Sequence, residues 1–577
     1  MHGERLLLKA AYLSALLSLL LASCAPAIAP TPTAKPAGPP APPTSPVPKQ
    51  TPAAPPAAPP KPAAPAPIAK PAAPSSTPKP AGEQPKYGGI MALPHHSDPP
   101  HLDIHGTVAS ALFSPMGAVY NGIVQFDKDT EVVPDLAERW DVSPDGKVYT
   151  FHLREGVKWH DVKPFTSTDA RFSIERIMAY RSMAYIVDGV EKVDAVDEST
   201  LKVTLDQRRA GFLPLIAHGR ALIGAKHVVE ANKDLKKVAV GTGPFKLKEY
   251  MSGVSFRMER NPDYFVKGRP YLDGIVYYLI KDAATRFAGF RTNRLQMAGT
   301  PPCHTDLGPT QAAIIKQEMP AAVVRPYELM MGWVLLPNWT RSPWKDVRVR
   351  RAAFLAVDRE KALEVVSEGN GDTGISFYSG QWALPKDELN KMPGFRKPKD
   401  QDIAEAKELL AQAGHPNGFE SSVLVRAAYP MYEKGALFMR AQLAKIGIDL
   451  KLQVLEYAVW THARNRRAYD TMLVMSSPSA FDPDEAGRFI SWKLGGQWAS
   501  DDDERLLQLH AAQSAAATSE ERKKAVFELQ RMVAELVPHV MGGWQYSFIA
   551  FWPEVKGYVF QSGVYSHNKF DEVWLAK

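Results

Sequence analysis

The chain has 577 residues, enough for several domains or one large multi-lobed body, and its 50 prolines are an unusual number. Its formal net charge of +7 sits in the N-terminal tail: residues 1–86 hold eight Lys or Arg against Glu4 and Glu83, a surplus of six, which leaves a single positive charge for residues 87–577. Nucleic-acid binding by the body therefore has no compositional support.

Arg5 and Lys9 precede an apolar run from Ala10 to Leu21, too short to span a bilayer comfortably and typical of an export signal. The run ends Leu21-Ala22-Ser23-Cys24. Small residues just before a cysteine resemble the bacterial lipobox, so residues 1–24 are expected to be a lipoprotein signal peptide with Cys24 as the lipidation site. Residues 25–82 contain no aromatic and no acidic residue, and Pro and Ala dominate. Such a segment cannot bury enough apolar surface to fold, and 25–86 reads as a disordered linker with polyproline II character. At about 3.1 Å per residue, roughly 60 residues reach up to about 190 Å, which suits a tether between a membrane and a soluble body. Cys24 and Cys303 are the two cysteines, so a lipidated Cys24 leaves Cys303 unpartnered and the body without a disulfide.

The body opens KYGGIMALPHHSDPPHLDIH. His95, His96, His101 and His105 with Asp98 and Asp103 invite a metal reading, since imidazoles suit zinc, copper and nickel. Pro99 and Pro100 break any regular spacing and no metal-site pattern is present, so no metal or other cofactor is expected. Asp127, Asp129 and Glu131 imitate half of a calcium loop, but Val132 stands where its glycine belongs. Asp145-Gly146 favours a tight turn. Tyr149, Phe151 and Leu153 then alternate with Val148, Thr150 and His152 as a strand with one apolar face. Thr166 and Asp169 have capping-box spacing before a helix whose inward stripe reads Phe172, Ile174, Ile177 and Met178.

Leu201, Val203 and Leu205 mark a further half-buried strand. Gly241, Gly243 and Pro244 mark a turn before another. Asp346 is positioned to cap a helix carrying Val349, Ala353, Ala356 and Val357 inward. Gly369-Asn370-Gly371-Asp372-Thr373-Gly374 is a literal GxGxxG, yet it follows a helix rather than a strand, so a dinucleotide reading fails its context. Residues 402–457 read helix, helix, strand, with Gly414 as a helix terminator and Ile448, Leu450, Leu452 and Val454 alternating. Thr518 and Glu521 begin a last helix from Ser519 to Val537.

Several phrases carry a resemblance. FHLREGVKWHD…KPFTSTDARFS, VYNGIVQFDKDTEVVPDLAERWDVSPDG, GTGPFKL, RNPDYF, NWTRSPWKDVRVRRAAFLAVDREKAL, AEAKELLAQAGHPNGF and RAQLAKIGIDLKLQV closely resemble, in order, the signatures of extracellular solute-binding proteins, family 5, which feed peptide and nickel ABC importers. Val162 departs from a family glycine. Because valine takes positive φ only at a cost, the loop bend is expected to be redistributed.

The resemblance implies an α/β, two-lobe periplasmic-binding-protein type II fold with an extra subdomain in lobe I. Lobe I would span 87–128 and 241–330, with the subdomain at 129–240, lobe II at 331–544 and a return to lobe I at 545–577. It further implies an extracytoplasmic, lipid-anchored monomer that captures a small-molecule or peptide ligand and hands it to an ABC permease and its ATPase. A nickel or metal chelate, another non-peptide solute, or a secreted enzyme or sensor on the same fold are the alternatives. The chain contains no Ser-His-Asp elbow, HExxH or Walker sequence, which argues against catalysis.

The ligand-lining candidates are His95, His96, Tyr120, Asn338, Trp460, Ser476, Ser479 and Asp482, with His95 and His96 expected in a loop at the cleft mouth. Peptide-binding members carry an Asp that pairs with the ligand's α-amino group, and the corresponding position here is Ser479. A serine cannot neutralise a buried ammonium. Asp482 is the candidate to replace it if the loop shifts.

Overall fold

The computed structural model describes residues 83–299, 307–378, 380–427, 430–476, 482–491, 493–494, 503–559 and 568–576. Cys24, the signal and nearly all of the Pro-rich segment, Cys303 and Ser479 lie outside them.

Two large apolar cores organise the described chain. The first is built from residues between Met91 and Met297 together with Tyr327, Ile549, Phe551, Val555, Phe570 and Val573. A mixed four-stranded sheet crosses it in the order Ile90–His95, Gly274–Leu279, Ser255–Arg260, Phe245–Met251. An antiparallel sheet in the order Ala137–Val142, Val148–Leu153, Thr200–Leu205, Val190–Ala195 faces the same core. The second core draws on residues from Trp333 to Trp544 and is organised by a seven-stranded sheet. We call the bodies around these cores the first and second lobes.

Two strands belong to both. Val323–Pro337 pairs antiparallel with Val540–Phe551 from Val323↔Phe551 at one end to Leu335↔Val540 at the other. Tyr327, Ile549 and Phe551 enter the first core, while Trp333, Leu335, Val540 and Trp544 enter the second. The register breaks between Glu328 and Met331, where the chain passes from one core to the other. Such an irregularity bends a paired ribbon locally, which makes it a natural flexing point.

Local rules explain most elements. Gly146 turns with φ +70° between two paired strands, and Tyr149, Phe151 and Leu153 are buried as the alternation requires. Asp169 caps the helix Ser167–Ala179 by accepting from Thr166 N at 3.1 Å. The buried stripe of that helix is Ala170, Ser173, Ile174 and Ile177. Met178, expected inward, lies in the last turn and is 39% exposed. Asp346 caps Val347–Ala356 with Val349, Ala353 and Ala356 inward, and Thr518 and Glu521 cap Ser519–Leu536 reciprocally. Along Ile448–Leu455 the expected alternation fades, and Val454 is exposed because this edge strand outruns the core. The glycine-rich 369–374 run adds a short strand: Gly371–Asp372 pairs with Trp544–Gln545, and a Cβ at Gly371 would collide with the Trp544 carbonyl.

The polar cluster near 95–105 is built into the first core. Asp103 is fully buried and takes a bidentate ion pair from Arg176, at 2.8 and 2.5 Å. Burial raises the Asp103 pKa, but the Arg176 hydrogen bonds and charge outweigh it and hold the carboxyl at about 2. His105 Nε2 donates to the Leu222 carbonyl at 2.8 Å. Among the described residues, no group of His, Cys, Asp and Glu side chains could hold a metal ion, and no helix is long and apolar enough to cross a membrane.

The expectation at Val162 is overturned. It adopts φ +67°, so the bend stays where a glycine would make it and valine bears it. Trp159 and Lys163 hold the loop: Val162 N donates to Trp159 O and Trp159 N to Lys163 O, both at 2.8 Å. A β-branched residue in the left-handed region costs roughly 1–2 kcal/mol. Val162→Gly should therefore raise stability in urea unfolding by about 1 kcal/mol, after the extra unfolded-state entropy of glycine; an unchanged midpoint would deny the strain. Asp103→Asn should cost about 3 kcal/mol at pH 7 by stranding Arg176. Because the folded-state pKa is depressed, that stabilisation is present above the unfolded value of about 4 and lost as pH falls toward 2. The gap between wild type and Asp103→Asn should close over that window.

Candidate functional site

The candidate site is the seam between the lobes. Met475, near the end of Thr471–Ser476, packs against both cores. The backbone of Ser476 pairs with Gly332 in one of the two shared strands. Residues 477–481 follow, and the described chain resumes at Asp482.

Asp482 begins the short helix Pro483–Gly487 by accepting from Asp484 N at 2.9 Å. Its two carboxylate oxygens also receive a bidentate ion pair from Arg522, at 2.7 and 2.6 Å. Both side chains are nearly inaccessible to solvent. Asp484 joins the knot, accepting from Gln513 Nε2 and from Ser514 Oγ at 3.2 Å and lying 3.5 Å from Arg522. Burial and then the neighbouring Asp482 charge push the Asp484 pKa up, against the pull of Arg522. His510 stands 3.9 Å from Asp484, and burial depresses its pKa.

The first lobe meets this knot directly. Ala210 N donates to Ser514 O at 2.7 Å, and Gly211 lies so close to Asp482 and Asp484 that a side chain there would collide with their carboxylates. Nearby, the Arg488 guanidinium lies 4.0 Å from the centre of the Tyr185 ring. The lobes are therefore in contact across the seam.

The candidate residues fall into distinct environments. His95 is the last residue of Ile90–His95 and is fully buried, not a loop residue at the cleft mouth. Parallel pairing with Gly274–Leu279 draws it into the sheet, and its Nε2 engages the Ala111 carbonyl at 2.8 Å. Burial, then the neighbouring His96, lowers its pKa to about 3, so the ring is neutral. His96 is half-buried with its ring 5.2 Å from His95. Burial, then the Arg286 charge, lowers its pKa. Tyr120 is fully buried, and that burial raises its pKa.

Asn338 is buried in the second lobe: its amide donates to Arg467 O and Tyr469 O at 2.9 and 2.8 Å, and its oxygen accepts from Thr340. Those bonds hold a loop. Trp460 is buried in the second core against Tyr432. Of the set, the structure brings His95 and His96 together and sets Asp482 on the seam. Sequence reasoning missed Arg522, Asp484, Gly211 and Tyr185. The Asp482-Pro483-Asp484 run carries a helix-start signal, but nothing local announces an arginine 40 positions on.

Residues 131–495 match the family described as bacterial extracellular solute-binding proteins, family 5 Middle. The chain belongs to that family. Among family 5 relatives, it is 30% identical over 499 residues to heme-binding protein A of Haemophilus influenzae, covering 80% of this chain and 87% of that protein. It is 28% identical over 500 residues to the dipeptide-binding protein of Escherichia coli, with 80% and 89% covered. Among solved structures, the periplasmic binding protein DppA of Helicobacter pylori in complex with the peptide STSA superposes with a TM-score of 0.69 at 26% identity, covering 85% of this chain and 99% of that one. The binding protein AgaA of A. tumefaciens in complex with agropinic acid gives 0.70 at 25%, with 85% and 99% covered. The fold is the two-lobe type II fold of periplasmic binding proteins.

Asp482 is thus already paired. Asp482→Ala should leave the Arg522 charge with its hydrogen bond to Gln513 at 3.0 Å and its longer contact to Asp484 at 3.5 Å, and cost about 3 kcal/mol in urea unfolding. Unchanged stability would mean that the ion pair does not hold this end of the second lobe.

Proposed function

We propose that this family 5 protein is tethered to the outer face of a membrane through lipidated Cys24, captures a peptide-like or other small solute between its two lobes, and delivers it to an ABC permease. The observation that carries the capture reading is the sharing of two strands by two separate cores, with a register break between them and direct contact across the seam. A solute held by both lobes stabilises the closed arrangement over the open one, because only that arrangement offers it both sets of contacts.

The state of Asp482 favours a solute that is not anchored by a free α-amino group. Its two oxygens are held by Arg522, and freeing them would expose a buried charge. A blocked peptide, or a non-peptide solute of the kind named for the haem- and agropinic-acid-binding relatives, fits that chemistry better than an ordinary dipeptide.

Calorimetry on solute-stripped protein tests this, comparing free dipeptides with the same dipeptides N-acetylated. The expected result is that the acetyl group costs no affinity. Micromolar binding of the free peptides that acetylation abolishes, and that Asp482→Ala also abolishes, would overturn it.

A further inference from the structure

We propose that the stretch from Tyr185 to Gly211 in the first lobe is a clasp that holds the two lobes together without help from a solute. The reading rests on the lobe closure invoked above. Its test uses protein stripped of solute, so it stands or falls whether or not a solute is ever found.

Three contacts make the clasp. Ala210 N donates to the Ser514 carbonyl at 2.7 Å, a backbone hydrogen bond between lobes that depends on no side chain. Gly211 then presses bare backbone against the carboxylates of Asp482 and Asp484. Its φ of −83° and ψ of −2° are open to any residue, so local conformation does not call for glycine. The contact does: a Cβ at 211 would overlap Asp484 Oδ2 and stand 2.7 Å from Asp482 Oδ1. The third contact is the Arg488 guanidinium stacked on Tyr185 at 4.0 Å.

Both halves are held by bonds within their own lobe. On the second lobe, Arg522 pins Asp482, while Gln513 and Ser514 pin Asp484, so neither carboxylate can swing away from a new methyl group. On the first lobe, Arg209 is tied to Asp188 at 2.7 Å and Asp206 at 2.9 Å just before Ala210. The Tyr185 hydroxyl accepts from Arg220 Nη1 at 2.8 Å, and Arg220 Nη2 donates to Val108 O at 2.9 Å. Pre-formed surfaces lose little freedom on docking, so a few contacts shift the balance far. The clasp also lies in other elements than the two shared strands, so it can release while the hinge stays paired.

The experiment uses the full chain, unfolded in guanidinium to strip solute and then refolded, read by small-angle X-ray scattering and by amide exchange at Ala210. Wild type should scatter with the compact dimensions of the structure and protect the Ala210 amide at least tenfold. Gly211→Ala should scatter as a more extended particle and lose that protection at least tenfold, while amides of Thr200–Leu205 exchange as before. Arg488→Ala should move both readings the same way, and it decides the matter if Gly211→Ala fails to fold. A stripped wild type that is already extended and unprotected at Ala210 overturns the proposal. So does a pair of folded variants that scatter and exchange like wild type.

Discussion

The structure depends on one pairing. Val323–Pro337 and Val540–Phe551 run antiparallel through the first core, across the seam and into the second core. A covalent linker alone would let two bodies tumble freely, whereas a paired ribbon restricts them to bending where its ladder is irregular. The ladder is irregular between Glu328 and Met331 and again between Trp333 and Val334, where the ribbon passes from one core to the other.

Distant parts of the chain are fastened by buried ion pairs. Arg176 reaches back to Asp103, and Arg522 to Asp482. Lys569 joins Asp135 at 2.5 Å, bringing the C-terminal segment onto the start of the first lobe. Asp135 also accepts from Asn121 and from Gly122 N, so its charge is satisfied on several sides. Paired, such groups are tolerable in a core; broken, they leave a charge without solvent. They add geometric definition to a body whose bulk stability comes from apolar burial.

What was legible in the sequence was mostly local. The Asp145-Gly146 hairpin, the Tyr149-Phe151-Leu153 face and the Thr518–Glu521 capping box each depend on residues a few positions apart, and all formed as their chemistry required. The family resemblance supplied the rest of the fold. Errors arose where tertiary structure overrode local preference. Val162 takes a glycine conformation because the flanking bonds fix the loop, and Val454 leaves the core because its strand is an edge. His95 looked like a loop residue in a proline-rich run, but Pro94 is acceptable on an edge strand and pairing drew both into the sheet. The seam was the least legible part. Its chemistry comes from Gly211, Asp482, Asp484 and Arg522, and no spacing within a helix or strand links them.

A family 5 solute-binding protein built this way is expected to enclose a solute between its lobes. Native mass spectrometry of the protein purified from its own cells tests it most directly. The account predicts one small molecule per chain, retained in the gas phase and lost on unfolding. A chain that carries no bound molecule in any native preparation would contradict it.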